Sequence, residues 1–454
     1  MLESLRTELR PMVRLAVPVV LAEIGWTTMG LVDTLMVGPL GPAAIGAVGL
    51  GSIVFLAVGI FGMGLLLGLD TLVAQSFGAG RAEQCDHWLR QGIYLALISA
   101  LPLSLLSLGV AASLPRWGLD PDVLALASPY LSVVTVSLLP LLLYAAFRRY
   151  LQAMNLVRPI TFALLSANLV NVVVNWVLIY GKLGFPALGA TGAAWATVLS
   201  RLYMAAVLVV AVREARRGRP TITSGPRGVD GNALRRLLRL GVPAGLQILL
   251  EVGVFAAATA LAGRLTPAAL AAHQIALNLW SFVFMVPLGL NAAGAVRVGH
   301  AVGRRDRDGV WRSGWTALAL GAAFTASSAV VFLVAGRPLI AAFSRDATVL
   351  AIGPPLLAIA GVCLMFDGTQ GISTGILRGL GDTRTPMIAN FAGHWLVGLP
   401  LGYAACFWWG WGVQGLWLGL AAGLTGIGLV LLATWSRRVR RALPAAAAPA
   451  GPSR

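Results

Sequence analysis

Charge is scarce in this chain of 454 residues: only 11% are Asp, Glu, Lys or Arg, against about a quarter in soluble domains. A soluble protein of this size could not clothe its surface with so few, whereas a chain that uses the lipid bilayer as solvent has no need to. Acids are scarcer still, 17 against 34 basic residues. A basic balance can point to nucleic acid, but that requires a basic face on a soluble domain. Here the arginines sit almost entirely between apolar runs, so the expected partners are membrane lipids and not nucleic acid. Cysteine is nearly missing. Cys85, Cys363 and Cys406 form neither a disulfide framework nor a paired metal motif. His87 and His300 fall at cytoplasmic ends, and His273 and His394 lie in spans without a Cys or carboxylate at ligand spacing, which argues against zinc. A phosphate-binding glycine loop and a serine-hydrolase elbow are lacking too. No enzyme and no bound cofactor are therefore expected. Nor does the N-terminus read as a cleavable signal, since it carries acids and its first apolar run is too long.

What the chain does have is apolar residues, at 58%, and 54 glycines. Runs bounded by Pro, Gly and charge predict twelve spans. In the first half these are 12–37, 43–70, 88–112, 122–147, 160–182 and 187–211. In the second they are 237–262, 268–296, 313–335, 348–376, 386–409 and 412–435. Each is long enough to cross a hydrocarbon layer of about 30 Å as a helix. The tails and even-numbered connections, with the first turns of the spans that follow them, hold 28 of the 34 basic residues, which predicts that both termini face the cytoplasm. The expected organisation is an N-terminal six-helix lobe (1–212), a cytoplasmic connection (213–236), a C-terminal six-helix lobe (237–436) and a disordered cytoplasmic tail (437–454). The halves repeat: "RLAVP" at 14–18 returns as "RLGVP" at 239–243, and "VGPLGPAA" at 37–44 returns as "AGRLTPAA" at 262–269. Six helices is an even number, so the two repeats are parallel, as in some transporters.

Ionisable groups inside the spans are the candidate functional residues, because each costs about 2.5–3.5 kcal/mol at mid-bilayer on the most lenient scale. The candidates are five acids, Glu23, Asp33, Asp70, Glu251 and Asp367, and the one base deep in a span, Arg201. Asp33 shares a helix face with Met29 and Trp26, and these two, with Trp176, are candidate contacts for an organic cation. Span five carries Asn168, Asn171 and Asn175 on one polar edge, whose amide oxygens suit a hard cation or a proton relay. Interhelical amide bonding is the structural alternative for these asparagines. Gln247 lies one turn before Glu251, and Gln370 and Thr374 share the face of Asp367. Asp70 reads as a cap or loop anchor. Arg201 reads as a structural partner for one of the acids, and the sequence leaves Glu23 open.

"GLVDTLMVGPLGPAAIGAVGLG", "QSFGAGR", "AAHQIAL" and "ILRGLGDTRTP" together resemble the multidrug and toxic compound extrusion family, in order and along the whole chain. "NVVVNWVLIYG", "LLEV" and "FDGTQ" look most like its NorM-type branch. The resemblance implies an all-α integral membrane protein of the inner membrane, with two parallel six-helix repeats around a central cleft. It further implies antiport of amphipathic or cationic small molecules against Na+, or alternatively H+. By that resemblance Asp33, Glu251 and Asp367 are cation-coupling residues, with Asn171 and Asn175 in support; Gln247 and Gln370 join them as supporting polar residues by their helical spacing. Na+ would then bind at Glu251 and Asp367, or at Asp33, Asn171 and Asn175. A monomer is expected. Two departures stand out: Glu23 occupies a position where a neutral amide is expected, and "CLMFDGTQ" lacks the tyrosine expected near the second-half site. A lipid-linked sugar flippase and a cation channel are the alternatives. The first would want several bases in the cleft, and the second would conduct without exchange.

Overall fold

A computed structural model describes residues 2–217 and 228–441, with the side chains of 2–7 and 441 left aside. It is nearly all helix. In the first half the helices are α1 (Leu2–Val37), α2 (Pro42–Leu65), α3 (Gly68–Gly78), α4 (Ala82–Ser113), α5 (Pro121–Val136), α6 (Leu138–Ala153), α7 (Arg158–Tyr180) and α8 (Ala190–Arg216). In the second half they are α9 (Gly231–Ala262), α10 (Pro267–Gly303), α11 (Arg307–Val334), α12 (Gly336–Ala341), α13 (Ala347–Gly379), α14 (Arg384–Asn390), α15 (Leu399–Tyr403) and α16 (Gly412–Arg441). Starts follow local chemistry. Asp120 accepts from the backbone N–H groups of Asp122 and Val123, with Pro121 at the first helical position. Asp346 does the same for Thr348 and Val349, satisfying donors that have no partner inside the helix.

Among the described residues, ten helical stretches, one of them α2 and α3 together, are long and apolar enough to cross a membrane, and the pair α5–α6, bent by 42°, makes an eleventh. The bend has a covalent cause. Pro140 has no N–H to give the carbonyl of Val136, the residue at which α5 ends. The eleventh span, expected at 386–409, is a continuous helical path interrupted by π turns at Phe391–Gly398 and Ala404–Trp408. Pro400 again removes a backbone donor just beyond the first of these, and the wider i→i+5 turn absorbs the change of register. Side chains that would be aberrant on a soluble protein cover the outside: Leu101 is 67% exposed and Val334 81%. Lipid is the solvent that such surfaces fit.

The chain forms two compact units. One is built from Leu15–Val73 and Arg81–Val252, the other from Gly253 onward with the first fourteen residues and Ala74–Gly80. The division falls inside α9, whereas the connection expected at 213–236 includes 218–227, which lies outside the described residues. The expected tail begins differently as well: α16 continues to Arg441, and 442–454 lie outside the described residues.

Close helix approach explains part of the glycine content. In the first unit, a Cβ on Gly64 would collide with the backbone of Gly245. In the second, a Cβ on Gly419 would lie on the backbone of Gly402, so α15 and α16 touch main chain to main chain. Small residues permit the packing on which helix association in lipid depends. Gly419→Val should therefore lower stability by about 1–3 kcal/mol, the usual penalty of overpacking. A thermal unfolding scan in detergent checks this, and an unchanged melting temperature would contradict it.

Candidate cation site

The first unit gathers its buried polar side chains around one carboxylate. α7 lies along α1 and is tied to its backbone at three levels: Thr161 donates to Pro18 O (3.0 Å), Asn168 to Gly25 O (2.9 Å) and Tyr180 to Met36 O (2.6 Å). Between the last two ties the polar edge of α7 meets Asp33. Asn171 Nδ2 donates to Asp33 Oδ1 at 3.0 Å, and Asn175 Nδ2 donates to the same oxygen at 2.7 Å. Asn175 also donates to Asn171 Oδ1 at 3.1 Å. From α8, Thr197 Oγ1 donates to Asp33 Oδ2 at 2.9 Å. All four side chains are buried. The carboxylate is thus held by three neutral donors, and both of its oxygens are engaged.

Arg201, one turn beyond Thr197 on α8, does not bond Asp33 directly. Its Nη1 donates instead to Ser137 Oγ at 2.5 Å. Its guanidinium lies 4.4 Å from the Phe55 ring centroid and 5.8 Å from that of Trp26. The other side of this neighbourhood is aromatic. Trp26 is stacked near-parallel to Tyr144 at 6.5 Å, and Tyr130 shares a hydrogen bond with Ser52 at 3.0 Å. Met29, one turn before Asp33, is buried. The structure thus brings Asp33, Met29, Asn171 and Asn175 together, with Trp26 under Arg201. Trp176 is not among them: it follows Asn175 directly, points about 100° away by helix geometry, and is 44% exposed.

Chemically the cluster is all oxygen where a cation would need it. The Asp33 carboxylate, the Asn171 and Asn175 amide oxygens and the Thr197 hydroxyl are hard donors of the kind that suits Na+. Asn175 Oδ1 is buried without a hydrogen-bond partner, so one such oxygen is uncommitted. The same carboxylate can instead take a proton and use the amide oxygens as acceptors.

In the second unit, Gln370 Nε2 donates to Asp367 Oδ1 at 3.3 Å, and Asn390 Nδ2 reaches Gln370 Oε1 at 3.4 Å. All three are fully buried, and Thr374 nearly so. Glu251 is half-buried on the part of α9 that belongs to the first unit, with Gln247 buried one turn before it.

The remaining in-span charges are structural in their contacts. Glu23 forms an ion pair with Arg148 of α6. Asp70, in the first turn of α3, pairs with Arg149 at 3.3 Å. Both arginines were expected in a cytoplasmic connection, but α6 runs on to Ala153 and carries them inward. Arg201, expected beside an acid, takes Ser137 instead. Sequence reading missed Thr197 and Asn390. Each had a signal: Thr197 lies four residues before Arg201, and Asn390 four before His394, so each pair marks a polar stripe on an apolar helix.

The comparisons with known proteins agree with this architecture. The MatE family model matches residues 18–177 and 243–404, two segments that start at the same spacing as the "RLAVP" and "RLGVP" repeats. A probable multidrug resistance protein NorM of Mesorhizobium japonicum is 36% identical over 97% of this chain and 96% of its own. The multidrug resistance protein NorM of Aliivibrio fischeri is 30% identical, covering 93% of each. Among solved structures, a MATE protein in the bent conformation superposes with a TM-score of 0.88 at 20% identity, over 97% of both chains. The eukaryotic MATE transporter AtDTX14 does so with 0.83 at 22%, over 97% of this chain and 99% of its own. The chain is a membrane-spanning transporter and belongs to the MatE family.

Proposed function

We propose that this transporter is a secondary antiporter that exports amphipathic, often cationic, compounds in exchange for Na+ or H+. Two six-helix lobes, 1–212 and 237–436, would alternate access between the two sides of a bacterial inner membrane, with both termini cytoplasmic and the chain acting as a monomer. The observation that carries this reading is the Asp33 carboxylate, buried among three neutral donors with an uncommitted amide oxygen beside it. A buried anion is costly unless a positive charge neutralises it. A coupling ion and a cationic passenger can both meet that need, and each then displaces the other. That mutual exclusion is the core of antiport. Asp33, Glu251 and Asp367 are assigned to cation coupling, with Asn171, Asn175, Gln247 and Gln370 in support. The relatives named for multidrug resistance support the substrate class. One elementary charge moving inward contributes about 2.3 kcal/mol per 100 mV, ample to drive an uncharged substrate outward.

The experiment is efflux of a fluorescent organic cation from proteoliposomes under a Na+ gradient alone and then a pH gradient alone. One or both should drive efflux above the rate without a gradient, and no acceleration by either would overturn the reading. A finer expectation concerns Thr197. Thr197→Val keeps the side-chain shape but removes a donor from Asp33, a net loss of about 0.5–1.5 kcal/mol for one hydrogen bond. Gradient-driven efflux should fall by about two- to thirteenfold on that scale. Unchanged efflux would mean that the hydroxyl does not support the coupling carboxylate.

A further inference from the structure

Two histidines are fully buried in the second unit, and they are treated very differently by their surroundings. His273 is fixed on both sides. Trp417 Nε1 donates to its Nδ1 at 3.0 Å, so Nδ1 is the bare nitrogen, and Nε2–H is left to donate to Thr259 Oγ1 at 2.9 Å. Both nitrogens are engaged, which locks a neutral tautomer. His394 is the opposite case. It lies in the π turn Phe391–Gly398, is 0% exposed, and neither ring nitrogen has a hydrogen-bond partner. Its ring stands edge-on to Phe255 at 6.2 Å. Phe255 in turn packs on Trp280 (4.8 Å), and Trp280 stacks on Phe284 (5.4 Å).

Leaving a buried imidazole open is costly to the fold, and such a group in a native structure points to a role beyond packing. Interrupting an α-helix with a π turn at the same residue points the same way. The neighbours identify the role. Asn390 lies one turn before His394, and its Oδ1 is likewise buried without a partner. Through its Nδ2, Asn390 reaches Gln370, which donates to Asp367. A chain of amides therefore leads from a carboxylate to the helical turn that carries an uncommitted imidazole.

Phe255 and the α16 residues packed on this turn carry no charge, and the one acid of α9 is Glu251. Toward this stretch α16 presents Gly419, Gly423 and Ile427, none of which titrates. α9 presents Phe255, with Glu251 four residues earlier on the same helix. On α13, Arg378 lies three turns beyond Asp367 and is committed to Asn291 Oδ1 at 2.8 Å. We propose that His394 is a proton-accepting residue of the second-half cation site, with Asp367 as its counter-charge through Gln370 and Asn390. This rests on the cation-coupled antiport proposed above. The bare ring nitrogen takes one proton from the aqueous side that reaches it and gives it up on the other. With the imidazolium formed, the pair with Asp367 is neutral and a cationic passenger loses its electrostatic hold. With the imidazole neutral, the carboxylate holds the passenger again.

The test counts protons. Tetraphenylphosphonium, whose charge does not change with pH, is bound to the full-length protein in weakly buffered detergent solution from pH 5.5 to 8.5. Proton release is read for the wild type, His394→Gln and His394→Phe. The wild type should release protons on binding. Both variants should release fewer, by an amount approaching one proton toward low pH. Gln keeps donor and acceptor capacity without titrating in this range and Phe keeps the ring, so one variant serves if the other fails to fold. Equal proton release by wild type and variants would overturn the role of His394 while leaving antiport standing. A wild type whose binding responds neither to pH nor to Na+ would overturn the antiport reading itself.

Discussion

Asp33→Asn should abolish gradient-driven efflux or cut it at least about tenfold, the factor that about 1.4 kcal/mol of lost differential interaction represents. The substitution is close to isosteric, so folding should survive. What changes is the charge. Asn171, Asn175 and Thr197 are arranged to donate toward two carboxylate oxygens. An amide in place of the carboxylate offers one oxygen and points an N–H₂ group at one of those donors. More important, no negative charge remains for a coupling ion or a cationic passenger to neutralise, so neither has reason to displace the other. Binding of an uncharged amphiphile, by contrast, should persist. Proteoliposome efflux under an imposed gradient checks the first expectation, and equilibrium binding to the purified variant checks the second. Full gradient-driven efflux in Asp33→Asn would remove the carboxylate from the mechanism.

Glu23→Gln should act on the other axis, stability. Glu23 and Arg148 form an ion pair between α1 and α6 in which both side chains are mostly buried, at 18% and 8% exposure. Removing one partner of such a pair strands the other, at a cost of about 3–5 kcal/mol. Arg148 Nε already lacks a hydrogen-bond partner, so the guanidinium has little to fall back on. The melting temperature of the variant in detergent should drop by many degrees, while the fraction that remains folded keeps the wild-type preference between Na+ and H+. A stable Glu23→Gln protein with altered ion preference would instead make Glu23 a coupling residue.

Much of this was legible in the sequence because lipid imposes simple rules. A span must be apolar and long, so the twelve runs were visible even where the helix is not regular. The eleventh, broken by π turns around Pro400, was as clear by hydropathy as its neighbours. The kink in the fourth span was not foreseen, although Pro140 and the end of α5 at Val136 follow directly from proline chemistry. The candidate site was half legible for a similar reason. An acid in an apolar run is conspicuous, and the three asparagines of α7 share a face by helical spacing. What spacing within one helix cannot give is the partner on another. Asn168 turned out to bind the α1 backbone, whereas Asn171 and Asn175 bind the carboxylate. Thr197 is marked only by Arg201 one turn later, which does not say which acid it meets. Arg148 looked like part of a cytoplasmic loop, because a boundary uncertainty of a few residues decides whether an arginine is at the surface or a turn inside. Pairing Glu23 with Arg148 requires knowing that segments 125 residues apart are neighbours, which is tertiary information.

Competition at equilibrium is the most direct test of whether Asp33 trades one positive charge for another. Ethidium binding to the purified transporter is measured over a range of Na+ at fixed pH, and over a range of pH without Na+, for the wild type and Asp33→Asn. In the wild type at least one of the two ions should weaken binding about tenfold or more, as expected for a one-for-one exchange at a single charge. In Asp33→Asn that sensitivity should disappear. A wild type whose affinity is indifferent to both ions, or a variant that keeps the full sensitivity, would contradict the assignment of cation exchange to this carboxylate.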